Sequence, residues 1–234
     1  MKPQINRFHI LLLFLFGINT NIVKSQVSEE RTNLALGVNG GMNFNTVTFS
    51  PSIKQNTMQS LVGGFTARYI CEKYFNMICG IQLEVNYSQR GWDEKIEDGT
   101  GNTYTRTLNY IEVPFLAHLA FGKERGARFF INAGPQFGIF VNDKEEKGGG
   151  EWITTHRPNG VIYQYGKEID NVFDYGITGG LGVEVRTGIG NFLLEGRYYY
   201  GLSDIYGNSK KDDFSRSGNS TICGKITYLF DITK

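Results

Sequence analysis

GGLGVEVRTGIGNFLLEGRYYYG, residues 179–201, contains two alternating runs joined by Gly188-Ile189-Gly190. In the first run Leu181, Val183 and Val185 share one face, and Gly180, Gly182, Glu184 and Arg186 share the other. In the second, Phe192, Leu194, Tyr198 and Tyr200 oppose Glu195 and Arg197. Period-two alternation across a tight glycine turn predicts a β-hairpin. One face is apolar and the other carries glycine and charge. Which of them is inside decides the fold.

The same alternation recurs along the chain. It predicts eight strands at about 33–46, 59–72, 76–91, 103–121, 127–141, 172–187, 191–204 and 219–232. The connections alternate in length. Short turns lie near Tyr74, at Gly122–Gly126 and at Gly188–Gly190. Long polar loops lie at about 47–58, 92–102, 142–171 and 205–218. Short turns at one rim and long loops at the other are the pattern of an antiparallel up-and-down transmembrane β-barrel.

The faces are consistent with that fold. Apolar positions include Leu36, Val38, Phe44, Leu61, Phe65, Leu83, Val85, Ile111, Phe115, Ile131, Ile222 and Ile226. Opposite them stand Asn39, Asn43, Gln82, Asn86, His118, Asn132 and Gln136. Four acids, Glu84, Glu112, Glu184 and Glu195, share that face with four bases, Arg68, Arg186, Arg197 and Lys225. A soluble sandwich, or a secreted lipocalin-like barrel, would turn these charges to water. In a membrane barrel a lipid-facing Arg or Lys costs about 2–4 kcal/mol at mid-depth. Four of them would rival a net stability of about 5–15 kcal/mol. In lipid the charged face must therefore be inside, where opposite charges pair. The abundant glycine, 30 residues, makes room in such an interior. Aromatics near strand ends, Tyr69, Tyr87, Trp92, Tyr110, Phe121, Phe129, Tyr175, Tyr200 and Tyr228, read as interfacial girdles. Pro114 and Pro135 interrupt strands, and a bulge is expected at each.

The N-terminus predicts export. Lys2 and Arg7 precede the apolar run Ile10–Ile18, which is shorter than the roughly 20 residues of a membrane helix. A signal peptide over 1–25, cleaved after Ser25, leaves 26–234 as one barrel domain. The expected location is the outer membrane, with lipid as the surrounding partner. A net charge of +1 implies no nucleic acid partner. The three cysteines, Cys71, Cys79 and Cys223, have no zinc spacing. Cys71 and Cys79 are placed to face each other across a hairpin as a disulfide, or stand there as two unrelated small apolar residues.

Little of the chain suggests chemistry. His9 belongs to the signal, and His118 sits on the inward face near a short turn. His156 neighbours Thr154 and Thr155 in the third long loop, but a hydroxyl beside a histidine in sequence is not a triad. Gly176–Gly182 lacks the Lys-Ser/Thr ending of a phosphate loop. No catalytic, cofactor or metal residue is assigned. The third loop carries Trp152, Tyr163 and Tyr165. Those aromatics are read in two ways: as anchors for a protein partner, or as a collar over the barrel mouth.

Three segments carry a family resemblance: Tyr110-Ile111-Glu112-Val113-Pro114-Phe115, Asn132-Ala133-Gly134-Pro135-Gln136-Phe137-Gly138, and Gly180-Leu181-Gly182-Val183-Glu184-Val185. Together they resemble the PorT-like outer-membrane β-barrels common in Bacteroidetes. The resemblance implies an eight-stranded outer-membrane barrel and transfers no catalytic residues. The leading expectation is a plugged barrel acting as a structural or interaction protein through external loops or the periplasmic rim. The resemblance adds an accessory role in a type IX-like secretion system as an alternative. A barrel enzyme acting on lipid is the third class.

Overall fold

The computed structural model describes residues 32–74, 77–122, 126–155, 157 and 160–232. The signal segment, His156 and the tips of the first two short turns lie outside them. The strands are β1 (Asn33–Ser50), β2 (Gln55–Asn56), β3 (Met58–Tyr74), β4 (Met77–Glu94), β5 (Thr103–Gly122), β6 (Gly126–Gly148), β7 (Phe173–Thr187), β8 (Gly190–Gly201) and β9 (Arg216–Asp231). Eight are long, and β2 is a two-residue strand pairing only with the end of β4. Every long strand pairs antiparallel with two neighbours, and β1 closes the ring by pairing with both β3 and β9. The fold is an eight-stranded antiparallel up-and-down barrel.

The hairpin within residues 179–201 belongs to β7 and β8, in register from Gly176↔Gly201 to Thr187↔Gly190. Its apolar face points outward: Leu181 is 71% exposed and Leu194 is 63% exposed. Glu184 and Glu195 are buried. Gly180 and Gly182 serve the crowded interior. A Cβ on Gly180 would meet Glu195 Oε1 at 2.7 Å, and one on Gly182 would meet the Phe130 ring at 2.5 Å. Leu194→Arg therefore places a cation in lipid. We expect it to lower stability by about 2–4 kcal/mol in refolding titrations on lipid vesicles. A cost within about 0.5 kcal/mol, as on a water-exposed surface, would contradict the outward apolar face.

The strands run further on the loop side than alternation alone suggested. β1 reaches Ser50, β4 Glu94 and β6 Gly148, and β9 begins at Arg216. In β6 charge on both faces hides the period, and in β1 the pattern inverts, with Val47 and Phe49 buried and Thr48 and Ser50 exposed. The expected proline bulges are absent. Register continues unchanged across Pro114↔Gln136 and Pro135↔Ile177. The β5–β6 ladder skips Phe115 and Leu116 and resumes at Ala117↔Ala133. A missing donor is thus accommodated by a local gap, without an extra residue. The irregularities fall instead between Asn109 and Tyr110, and between Ile70 and Glu72. The second leaves Cys71 outside the pairing, with Glu72 opposite Cys79, and all three cysteines are free.

The interior has three tiers. Ala35, Ile70, Ile78, Ala120, Phe130, Leu193 and Leu229 form an apolar plug at the short-turn end. Charged and amide side chains fill the middle. At the loop end Val47, Phe49, Trp92, Tyr104, Leu108, Tyr110, Val161, Ile205, Tyr206 and Phe214 form an aromatic cap. Trp92 and Tyr110 are therefore inside, not in the girdle. Each shares strand parity with an inward acid, Trp92 with Glu84 and Tyr110 with Glu112. Position near a strand end misassigns them, and parity places them correctly.

Candidate functional site

The middle tier holds three clusters. Glu184 lies between two arginines, accepting from Arg68 (2.9 and 2.9 Å) and Arg128 (3.0 and 2.7 Å). Glu84 accepts from Arg197 (3.0 and 2.8 Å), Lys225 (2.6 Å), Gln82 (2.7 Å) and Asn86 (2.9 Å). Arg197 also binds Glu195, whose Oε1 accepts from Asn132 (3.0 Å). Nearer the loops, Arg90 pairs with Glu112 (2.6 Å) and Asp174 (2.9 Å) and lies 4.0 Å from the Tyr199 ring centre. Tyr199 and Ser203 donate to Asp174, each at 2.6 Å. His118 is fully buried against Asn132 (2.8 Å) and Phe130.

The structure thus brings Arg68, Glu84, Glu112, Glu184, Glu195, Arg197 and Lys225 into the interior. Arg186 is a correction. It lies at the short-turn rim, where the barrel opens, and pairs there with Asp231 at 2.9 Å. Sequence reading omitted Arg90, Arg128 and Asp174, although parity with Glu84, Asn132 and Glu184 respectively marks them as inward. With them the tier holds five carboxylates and five cations, all buried. Beside Arg90, Gln136, Tyr199 and Lys225 a cavity of about 20 Å³ remains, room for a water or two.

At the mouth, β4, β5 and β6 continue past the last β6–β7 pair, Ile139↔Phe173. Their inward side chains there are Trp92, Glu94, Tyr104, Arg106 and Glu145. Arg106 donates to Asp143 (2.8 Å) and to the Tyr206 hydroxyl (2.9 Å), and Tyr104 donates to Glu145 (2.8 Å). The described residues of the third loop, 149–155, 157 and 160–172, fold back over them. Tyr165 donates to Glu94 (2.9 Å), Gln164 donates to Glu94 (3.1 Å), and the Gly166 amide donates to Glu145 (2.9 Å). Arg157 donates to Asp98 (2.7 Å) and Asn102 (3.0 Å). Burial, then the Glu94 carboxylate, pushes the Tyr165 hydroxyl well above the ordinary phenol range, so it remains a donor. Of the loop aromatics, Trp152 and Tyr165 pack into the cap, while Tyr163 is 50% exposed. Trp152 and Tyr165 thus form part of a collar over the mouth, and Tyr163 stands outside it.

A closed ring with an apolar exterior and a charge-paired interior defines a transmembrane β-barrel. Residues 24–207 match the family described as outer membrane protein beta-barrel domain, and the chain belongs to that family. It is an outer-membrane protein. Among solved structures it is similar to Ail, the attachment invasion locus protein of Yersinia pestis, at 12% identity over 84% of this chain and 99% of that one, with a TM-score of 0.36. It is also similar to OprG of Pseudomonas aeruginosa, at 10% identity over 85% and 94%, TM-score 0.41. Neisserial surface protein A shares 11% identity over 84% and 97%, TM-score 0.41. No curated protein matches the chain.

Proposed function

We propose that this barrel is a sealed, non-catalytic scaffold that works through its external loops or periplasmic rim. One observation carries the reading: two apolar tiers bracket a tier whose five carboxylates and five cations are all in ion pairs, and the cavity beside those charges measures about 20 Å³. Eight strands enclose a lumen about as wide as its own side chains. Opposite charges at contact distance in a low-dielectric space hold one another in place. The PorT-like resemblance belongs to this proposal too. Its three segments lie on the neighbouring strands β5, β6 and β7, where Glu112, Gln136 and Glu184 face inward.

Planar-bilayer recording of refolded protein tests the seal. A silent trace is expected. Large, steady, nonselective openings would move the function to diffusion and end the scaffold reading.

A further inference from the structure

The hairpin of β3 and β4 carries two of the three cysteines. Tyr69↔Ile81 and Ile70↔Gly80 are ordinary ladder pairs, and the next pair is Glu72↔Cys79. Cys71 is thus the extra residue of a bulge, beside the Cys79–Gly80 peptide. Ile70 and Ile78 belong to the buried apolar plug, while Tyr69 and Ile81 are exposed on the lipid side. Cys71 shares the parity of Tyr69, and Cys79 that of Ile81, so both thiols leave the same outer face of the hairpin. Cys71 is exposed and Cys79 half-buried, whereas Cys223 is enclosed in the interior. The strands also close up here. A Cβ on Gly80 would meet the Tyr69 carbonyl oxygen at 2.6 Å and Ile70 Cδ1 at 3.0 Å.

Register sets the reach between the two. Residues opposite each other in an antiparallel ladder have Cα atoms about 4.5–5.5 Å apart. Cys71 is the chain neighbour of Glu72, which stands opposite Cys79. Ladder geometry therefore separates the two cysteine Cα atoms by about 5–6.5 Å. A disulfide bridges about 4.4–6.8 Å when both Cβ atoms leave the same side. The Cys71 thiol faces the Tyr69 carbonyl at 3.9 Å, a weak contact that costs little to break. Glu72 sets a carboxylate at the level of Cys79, which puts the pair at the headgroup edge of the bilayer rather than among acyl chains. The short turns of an outer-membrane barrel face the periplasm, a compartment in which disulfides form and persist.

We propose that Cys71 and Cys79 form a thiol–disulfide exchange site at the periplasmic edge, whose oxidised form staples β3 to β4 across the bulge. The oxidant is a disulfide, R–S–S–R, free or on a protein. The Cys71 thiolate attacks one of its sulfurs, forming a Cys71–S–S–R bond and releasing RS⁻. The Cys79 thiolate then attacks the Cys71 sulfur, forming the Cys71–Cys79 bond and releasing the second RS⁻. The protons of the two protein thiols end on the released thiolates. The pair thus loses two electrons, and the oxidant becomes two RSH. Exposure makes Cys71 the attacking thiol and Cys79 the resolving one. The staple adds a covalent link where Cys71 stands outside the ladder, and so fixes the irregular register of this hairpin. The site lies on the outer face and holds whether or not the barrel interior is sealed.

Refolded full-length protein, reduced and then freed of reductant, is exposed to oxidised glutathione and quenched in acid. Intact mass, and alkylation before and after unfolding, report the thiols. Wild type should lose two hydrogens and keep no glutathione. One thiol, Cys223, should remain and be alkylated only after unfolding. Cys79→Ser keeps the attacker without its resolver, so it should hold one glutathione at Cys71. Cys71→Ser should take up glutathione at least tenfold more slowly. Retention of the heat-dependent gel shift of a closed barrel shows that each variant has folded. Oxidised wild type should need a higher temperature for that shift than reduced wild type, and Cys79→Ser should not respond. A folded wild type that stays reduced, that keeps glutathione on both thiols, or that cross-links to a second chain instead of within itself overturns the pair. Equal uptake by the two serine variants overturns Cys71 as the attacking thiol. A conducting barrel that still forms the internal disulfide overturns only the seal.

Discussion

Glu184→Ala should lower the unfolding free energy by about 3–5 kcal/mol, the cost of leaving buried charge without its partner. The substitution strands two cations together, because Glu184 is the shared acceptor of Arg68 and Arg128. Both guanidiniums are buried, so water cannot replace the lost carboxylate. Glu146→Ala makes the proper comparison. Its carboxylate is 60% exposed and bonded to a still more exposed Lys144, a pair worth about 0–1 kcal/mol. Urea titrations of the two variants in the same lipid vesicles measure the difference. Coincident midpoints would mean that the charged face is not the inside of the barrel.

Trp92→Ala should cost a similar amount, about 3–5 kcal/mol, by opening a cavity in the aromatic cap. The indole touches Phe49 edge-on at 5.0 Å between ring centres, and it packs against Tyr104 and Tyr206 at 6.3 and 6.5 Å. Arg106 lies 5.9 Å from its ring centre. Tyr87, on the same strand but of opposite parity, is 50% exposed on the lipid side. Tyr87→Ala removes a girdle ring without emptying a core, so its midpoint should move less. A larger loss for Tyr87 than for Trp92 would return Trp92 to the membrane interface.

Those two tyrosine and tryptophan positions show how far sequence reading reaches. Both sit on the loop-side half of β4 and both are aromatic, so composition by position treats them alike. Parity separates them, and so does the cap, which needs Trp92 inward. Arg186 shows the reverse error. Parity with Glu184 puts it inside, but it lies past the end of the enclosed lumen, where Asp231 is at hand and solvent reaches it. Pro114 and Pro135 behave differently again. Proline chemistry forbids a ladder bond but does not say whether the chain inserts a residue or leaves a gap, and here it leaves a gap.

The sequence by itself determined the strands, the alternation of short turns and long loops, and the choice of charged face for the interior. All three are local, because the period of two acts between adjacent residues and the cost of charge in lipid acts on each residue alone. Only the tertiary structure decided which charges pair. Arg68 and Glu184 are 116 positions apart, and Lys225 and Glu84 are 141 apart. Ring closure and strand register set those meetings, and no short-range pattern carries them. The same holds for the third loop. Whether Trp152 and Tyr165 point out to a partner or in toward Tyr104 depends on the wall that β4 and β5 build beneath them, and that wall exists only once the barrel has closed.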